Sequence, residues 1–135
     1  MQKRHLGRTK LQVSIVGFGG TWISRLAATD ANAVVKRAFD LGINYFDTAR
    51  WNGDSEEKMG VALEDIRDEC IIATKTGART KHTSLEDLRG SLRKLRTDRM
   101  NIIHLQGIDD EKTLAKAIGV DGSLELAGKH VPRAW

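Results

Sequence analysis

Short and long blocks of hydrophobic residues alternate along the chain of 135 residues. The short apolar run Ile15–Phe18 is typical of a buried strand, and a helical pattern follows it from Thr29 or Asp30 to Leu41. Gly42 stands where a glycine commonly ends a helix. The first unit of the chain is therefore a predicted strand followed by a predicted helix.

Three more units of the same kind follow. One long block has leucines at spacings of three, four and three, as on one face of a helix: Leu85, Leu88, Leu92 and Leu95. This helix is predicted to begin at Ser84, because Ser84 and Asp87 resemble a capping box. The predicted strands are Asn44–Ala49, Ile71–Thr76 and Asn101–Ile108, and the predicted helices are Asp54–Ile66, Ser84 to about Arg96 and Glu111–Ile118.

Strict alternation of four strand-helix units indicates an α/β fold with parallel strands and right-handed crossovers. A doubly wound sheet and part of a barrel share this pattern, and periodicity does not choose between them. Gln2–Leu6 and Leu11–Ser14 flank a turn and predict a hairpin within residues 1–14. Residues 121–135 form a divergent tail with no convincing fifth strand, because Gly122, Gly128 and Pro132 interrupt it.

Composition favours one globular domain over residues 1–135. Hydrophobic residues make up 40% of the chain, and no apolar run approaches the length of a membrane span. The net charge of +4 is spread along the chain without a nucleic-acid-binding motif beside it. The single cysteine, Cys70, cannot form an internal disulfide, which favours a reducing, cytoplasmic setting. We therefore expect no membrane, nucleic acid or metal ion among the partners.

Polar residues follow the predicted strands at their carboxyl ends, where parallel α/β folds carry their active groups. The first strand leads into Gly20-Thr21-Trp22, and the fourth reaches Gln106. Asp47 and Lys75 lie at the ends of the second and third strands in apolar surroundings, so each charge favours the presence of the other. The two residues are either an active pair or an ion pair that only fixes the ends of the strands.

Four ordered segments resemble the aldo/keto reductase family. HLGRTKLQVSIVGFGG (residues 5–20) is similar to the family's hairpin and first strand, and GINYFDTARWNGDSEEKMG (residues 42–60) to its second strand, aspartate and next helix. IIATKTG (residues 71–77) resembles the strand with the family lysine, and SLEDLRGSLRKLRTDRMNII (residues 84–103) the third helix and the approach to the fourth strand. The resemblance covers residues 1 to about 125.

The resemblance implies an eight-stranded (β/α) TIM barrel, of which this chain forms about four units, and reduction of small carbonyl compounds with NADPH. In the family, hydride goes to the carbonyl carbon and a tyrosine protonates the oxygen, assisted by a lysine, an aspartate and a histidine. Carried over, Asp47 matches the aspartate and Lys75 the lysine. Asp47 also falls near the nicotinamide end of the cofactor, together with Gly20, Thr21 and Trp22.

Two positions depart from the family pattern. Asn52 stands at the tyrosine position, and its amide can donate a hydrogen bond but cannot give up a proton as a phenol does. Gln106 stands at the histidine position, where its amide can still orient a carbonyl. Tyr45 and His104 lie two residues earlier on the same inward face, about 6.6 Å deeper, and we expect them to form a core layer. Trp51 either walls a substrate pocket or covers the entrance to the next helix.

The resemblance covers only half a barrel, and much of the family's site for the adenosine and phosphate groups belongs to later strands. We therefore expect this truncated chain to have impaired or no activity. The alternatives are a non-catalytic descendant that binds a partner or a cofactor, and a degenerate fragment. Four strands also leave two open edges, and a homodimer that pairs strand four with the other chain's strand one would close eight strands.

Overall fold

A computed structural model describes residues 1–126 of the chain. Its six strands are β1 (Lys3–His5), β2 (Gln12–Ser14), β3 (Phe18–Gly19), β4 (Tyr45–Asp47), β5 (Ile71–Thr76) and β6 (Ile102–Leu105). The first two form an antiparallel hairpin, and the other four form a parallel sheet in the order β3-β4-β5-β6. The parallel sheet and the hairpin confirm the predicted α/β fold.

Helices alternate with the strands of the parallel sheet. The α-helices are α1 (Ala28–Asp40), α2 (Ser55–Leu63), α3 (Lys81–Lys94) and α4 (Glu111–Ile118). Short 3-10 helices follow β3, α2 and α4, at Gly20–Arg25, Glu64–Glu69 and Ser123–Leu126. The last of these begins the predicted tail, and the rest of the tail lies outside the described residues.

Several predicted boundaries are wrong: α2 ends at Leu63 and not Ile66, and β6 ends at Leu105 and not Ile108. Two further differences have a visible local cause. Helix α3 begins at Lys81 instead of Ser84, because Thr80 is the residue whose side chain accepts a hydrogen bond from the backbone N–H of Thr83. Ser84 lies inside the helix, and its hydroxyl donates to Ser123 across 2.8 Å. The first parallel strand does not include Ile15, which is 50% exposed. It starts later because the Ser14 hydroxyl donates to the carbonyl oxygen two residues ahead and bends the chain.

The core lies between the parallel sheet and helices α1 and α2. Phe46 and Ile72 project from the two central strands and are fully buried. The helices cover them with Val35 from α1 and Met59 from α2, both also fully buried. Apolar burial of this extent is the main term that stabilises a small α/β domain, and it holds the two central strands against the helices.

A buried arginine fixes the start of β5 against the start of β6. Arg67 donates to the carbonyl oxygen of Cys70 at 2.7 Å and to the Asn101 side chain at 2.9 Å. The same Asn101 oxygen accepts from the backbone N–H of Ile72 at 2.9 Å. Burial lowers the pKa of the Arg67 guanidinium. These bonds set the register of β5 and β6, which in turn places Lys75 opposite His104.

Candidate active site

The two predicted charges meet at the carboxyl end of the sheet. Asp47 is the last residue of β4, and Lys75 is the last but one of β5. The Lys75 ammonium contacts the Asp47 carboxylate and also donates to the carbonyl oxygen of Thr48 at 2.8 Å. The two side chains are only 23% and 31% exposed, so the pair is shielded from solvent more than a surface ion pair is.

His104 joins this pair. It lies directly opposite Lys75 in the parallel register, and its Nδ1 is 3.8 Å from Oδ1 of Asp47. Its side chain is 45% exposed, so the expectation that it belongs to a buried core layer is wrong for the described residues. The register explains this position. Counting residues back from Gln106 gives the depth of His104 within β6 only, because neighbouring strands are offset. The pairing of the two strands places His104 at the level of Lys75.

Tyr45 lies at the start of β4, two residues before Asp47. Its ring packs against Gly17, where an added methyl group would lie 2.8 Å from Cδ1 of the ring. Partial burial raises the pKa of the Tyr45 phenol, and the negative charge of Asp47 raises it further. A phenol with a raised pKa holds its proton more tightly, which is the wrong direction for a proton donor.

The amide of Asn52 faces the loop after β3. Its Nδ2 donates to the hydroxyl of Thr21 at 3.3 Å, and its backbone carbonyl accepts from Ser55 N at 3.1 Å. Gly53 next to it has φ +60°, a conformation that favours glycine, so the chain turns sharply into α2. Asn52 therefore links two loops beside the Asp47–Lys75 pair.

Gly20 is required by packing. A methyl group there would lie 2.7 Å from the end of the Met59 side chain and 2.9 Å from the Ser55 hydroxyl. That hydroxyl donates to the Gly20 carbonyl at 2.7 Å and lies 2.9 Å from the Thr48 hydroxyl. The absence of a side chain lets α2 approach the loop after β3, which places Thr21 beside Asn52.

Two tryptophans flank the site and remain largely exposed. Trp22 is 63% exposed, and the guanidinium of Arg25 lies 4.2 Å from the centre of its ring. Trp51 is 64% exposed, and its indole lies on Gly77, where a methyl group would come within 2.0 Å of the ring. Trp51 therefore crosses the end of β5 and forms a wall at the carboxyl edge.

Gln106 and Arg79 are in contact near Trp51. The backbone N–H of Gln106 donates to the carbonyl oxygen of Thr76 at 2.9 Å, and its side chain makes no hydrogen bond within residues 1–126. Arg79 donates to the carbonyl oxygens of Gln106 and Gly107, the latter at 2.6 Å. Arg79 is not among the residues predicted from the sequence, although a basic residue shortly after the end of a parallel strand is a signal that points to this edge.

The edge suits the nicotinamide end of a dinucleotide. The Thr21 hydroxyl is a hydrogen-bonding group that matches a carboxamide, and exposed indoles offer planar apolar surface to an aromatic ring. Within residues 1–126, no helix is long and apolar enough to cross a membrane. The same residues contain no group of three or more His, Cys, Asp or Glu side chains suited to a metal ion.

The fold and the site together define a class of protein. It is a partial (β/α) barrel with a carboxylate–ammonium pair at the carboxyl ends of its strands. The family model described as "Aldo/keto reductase family" matches residues 15–129. The chain therefore belongs to the aldo/keto reductase family, as its four sequence motifs predict.

The chain is also similar to several known proteins in sequence or in structure. L-galactose dehydrogenase from Arabidopsis thaliana is 38% identical over 81% of this chain and 39% of its own length. A protein described as a probable voltage-gated potassium channel subunit beta from Oryza sativa subsp. japonica is 30% identical over 100% of this chain and 50% of its own. The holo form of an aldo-keto reductase from Bacillus halodurans has 33% identity and a TM-score of 0.79 over 97% of this chain and 48% of its own. The chain thus spans half or less of each.

Proposed function

We propose that this chain carries the carbonyl-facing part of an NADPH-dependent reductase site for small carbonyl compounds, with weak activity of its own. The observation that supports this most is the shielded contact between Asp47 and Lys75 at the carboxyl edge of the sheet. Family membership supports the choice of a nicotinamide cofactor. The residues proposed to hold its reactive end are Gly20, Thr21, Trp22 and Asp47.

When bound, the reduced nicotinamide supplies hydride to the carbonyl carbon. The ammonium of Lys75 then lies where negative charge develops on the carbonyl oxygen, and it stabilises that charge. Asp47 and the carbonyl oxygen of Thr48 hold the ammonium in place. The amide of Asn52 can orient the substrate by hydrogen bonding, and the Gln106 side chain is proposed to do so as well.

The phenol that protonates the alkoxide in the family is the missing part. Asn52 has no titratable proton, and the Tyr45 phenol holds its proton more tightly than an ordinary tyrosine. General acid catalysis typically contributes about 10²–10⁴-fold to a rate. We therefore expect turnover slower by a factor in that range than in a variant with a phenol at position 52.

The test restores the phenol. Asn52→Tyr should raise carbonyl-dependent NADPH oxidation at least tenfold, whereas Asn52→Phe, which adds the same ring without the hydroxyl, should not. Adding Gln106→His to Asn52→Tyr should raise it further. NADPH binding, followed by its fluorescence, should be similar in the wild type and both position-52 variants. Equal rates for the tyrosine and phenylalanine variants, or no NADPH binding by any of them, would contradict the proposal.

A second candidate is a non-catalytic subunit that binds a cofactor or a partner. Asn52 in place of a phenol favours it, and one relative is described as a potassium channel subunit. NADPH binding without any gain from Asn52→Tyr would support this candidate.

In either case we propose that two copies associate through the free edges of β3 and β6, since residues 1–126 leave both edges unpaired.

A further inference from the structure

Arg79 is a cation that the proposed chemistry does not use. Its guanidinium donates to three backbone carbonyl oxygens, those of Ala78, Gln106 and Gly107. These bonds use both hydrogens of Nη2 and one of Nη1. Within residues 1–126 it forms no ion pair with a carboxylate, and its Nε–H and remaining Nη1–H have no acceptor. Arg79 is therefore held rigidly while two of its donors and its full charge stay unmatched.

Trp51 lies against the same group of residues. An added methyl group at Gly107 would lie 3.4 Å from Nη2 of Arg79 and 3.7 Å from the Trp51 ring. The guanidinium and the indole are thus neighbours on one glycine, and the indole is 64% exposed. A fixed cation beside an open aromatic face is a combination that binds an anionic group on a planar ligand.

The other cations at this edge are less suited to an anion. The charge of Lys75 is balanced by Asp47. Arg25 lies over the ring of Trp22, on an exposed 3-10 helix, and no backbone carbonyl fixes it within the described residues. Arg50 is anchored as well, but its charge is balanced by Glu56 and Asp87. Arg79 is held by backbone carbonyl oxygens with no carboxylate beside it in residues 1–126, so it loses little conformational entropy when an anion binds.

We propose that Arg79 and Trp51 form a specificity subsite for aromatic carbonyl compounds that also carry a carboxylate. The substrate class deepens the proposed reductase function and rests on it. The carboxylate lies on Arg79, the aromatic ring on Trp51, and the carbonyl group toward Lys75.

The subsite can be tested without turnover or cofactor. Isothermal titration calorimetry of the full chain compares benzoate with benzamide, which has the same ring and shape but no charge. Wild type should bind benzoate at least tenfold more tightly than benzamide, because only benzoate carries a negative charge that can form an ion pair with the guanidinium. Arg79→Gln should abolish this preference, and Trp51→Leu should weaken both ligands.

Arg25→Gln is the matched control, since it removes an arginine from the same edge and should leave the preference for benzoate unchanged. Equal binding of the two ligands, no binding of benzoate to wild type, or an unchanged preference in Arg79→Gln would each overturn the subsite. NADPH titration of the same samples separates the two proposals. Benzoate binding without NADPH binding contradicts only the reductase function, and the reverse contradicts only the subsite.

Discussion

Single atoms decide the chemistry of this site. The contact between Lys75 and Asp47 leaves a charged donor at the carboxyl edge, whereas the amide of Asn52 removes the proton that the family mechanism needs. His104 is the one additional titratable side chain that the register places against Asp47 within the described residues. Residue identity and strand register therefore act together, and neither is sufficient alone.

Cys70 offers a residue-scale prediction outside the site. The thiol is 3% exposed, and burial raises its pKa from the ordinary 9.0 to about 11. At pH 9 about half of an ordinary thiol is ionised but only about 1% of Cys70, and the thiolate is the reactive form. Alkylation by iodoacetamide at pH 9 should therefore be at least tenfold slower in the folded chain than in guanidinium.

Mass spectrometry of timed samples measures this rate, and free glutathione under the same two conditions serves as the control.

The sign of the linked effect on stability follows from the raised pKa of Cys70. Below pH 9 the folded and unfolded thiols are both protonated, and between about pH 9 and 11 only the unfolded one ionises. The free energy of unfolding should therefore decrease as the pH rises through that interval. Equal alkylation rates would contradict the buried thiol.

At the scale of elements, local signals predict some boundaries and not others. Helix α4 spans the predicted Glu111–Ile118, because Asp110 caps it by accepting from Thr113 N at 2.6 Å. Strand β5 also spans its predicted range, since its residues are almost all buried. The start of α3 depends on which hydroxyl caps it: Thr80 accepts from Thr83 N, whereas Ser84 bonds to Ser123, a residue far away in sequence.

Local signals likewise predict some residues of the candidate site and not others. Periodicity and the family motifs predict the Asp47–Lys75 pair, because both residues are at strand ends. They do not predict that His104 lies beside Asp47, since this depends on the register that Arg67 and Asn101 impose. Loop residues are harder still, because no repeating pattern shows where their side chains point.

The approach of α2 to α3 gives the element-scale prediction. A methyl group at Gly60 would lie 2.4 Å from the carbonyl oxygen of Lys94 and 2.7 Å from Cα of Leu95. Alanine normally gains about 1 kcal/mol over glycine inside a helix. Here the clash is with backbone, which cannot rotate away, and overpacking typically costs about 1–3 kcal/mol. Contacts this short with backbone place the cost in the upper part of that range, so after the gain from alanine Gly60→Ala should lower the free energy of unfolding in urea by roughly 1–2 kcal/mol.

Gly19→Ala is the control for that measurement. An added methyl group at Gly19 meets no atom within 4 Å, and its φ of −91° suits any residue. Its free energy of unfolding should stay within about 0.5 kcal/mol of wild type. A Gly60→Ala chain as stable as Gly19→Ala would show that the two helices lie farther apart than described.

At the scale of the whole molecule, the sheet is open on both sides. Strand β3 pairs only with β4, and β6 only with β5, within residues 1–126. Apolar side chains stay exposed near the β6 side, with Ile103 at 40%, Leu114 at 43% and Ile118 at 53%. Unpaired strand edges and exposed apolar groups both favour association with another chain.

The proposed homodimer would use both edges at once. A two-fold axis along the direction of the strands pairs β6 of each chain with β3 of the other, keeps all eight strands parallel and leaves no free edge. The purified 135-residue chain should therefore have a mass of about 30 kDa in light scattering, twice its 15.0 kDa. Ile103→Asp should shift this mass toward the monomer, because it places a charge within β6, the strand at the open edge.

Val61→Asp is the matched control, because Val61 is similarly exposed, at 43%, but lies on α2 behind the two central strands. Its mass should equal that of the wild type. The dimer hypothesis fails if the folded wild-type chain is a monodisperse monomer at tens of micromolar, or if both variants dissociate alike. A dimer that Ile103→Asp dissociates and Val61→Asp does not places the interface at the open edge. The carboxyl edges of the two sheets would then form one ring, and this ring would contain two Asp47–Lys75 pairs, one from each chain.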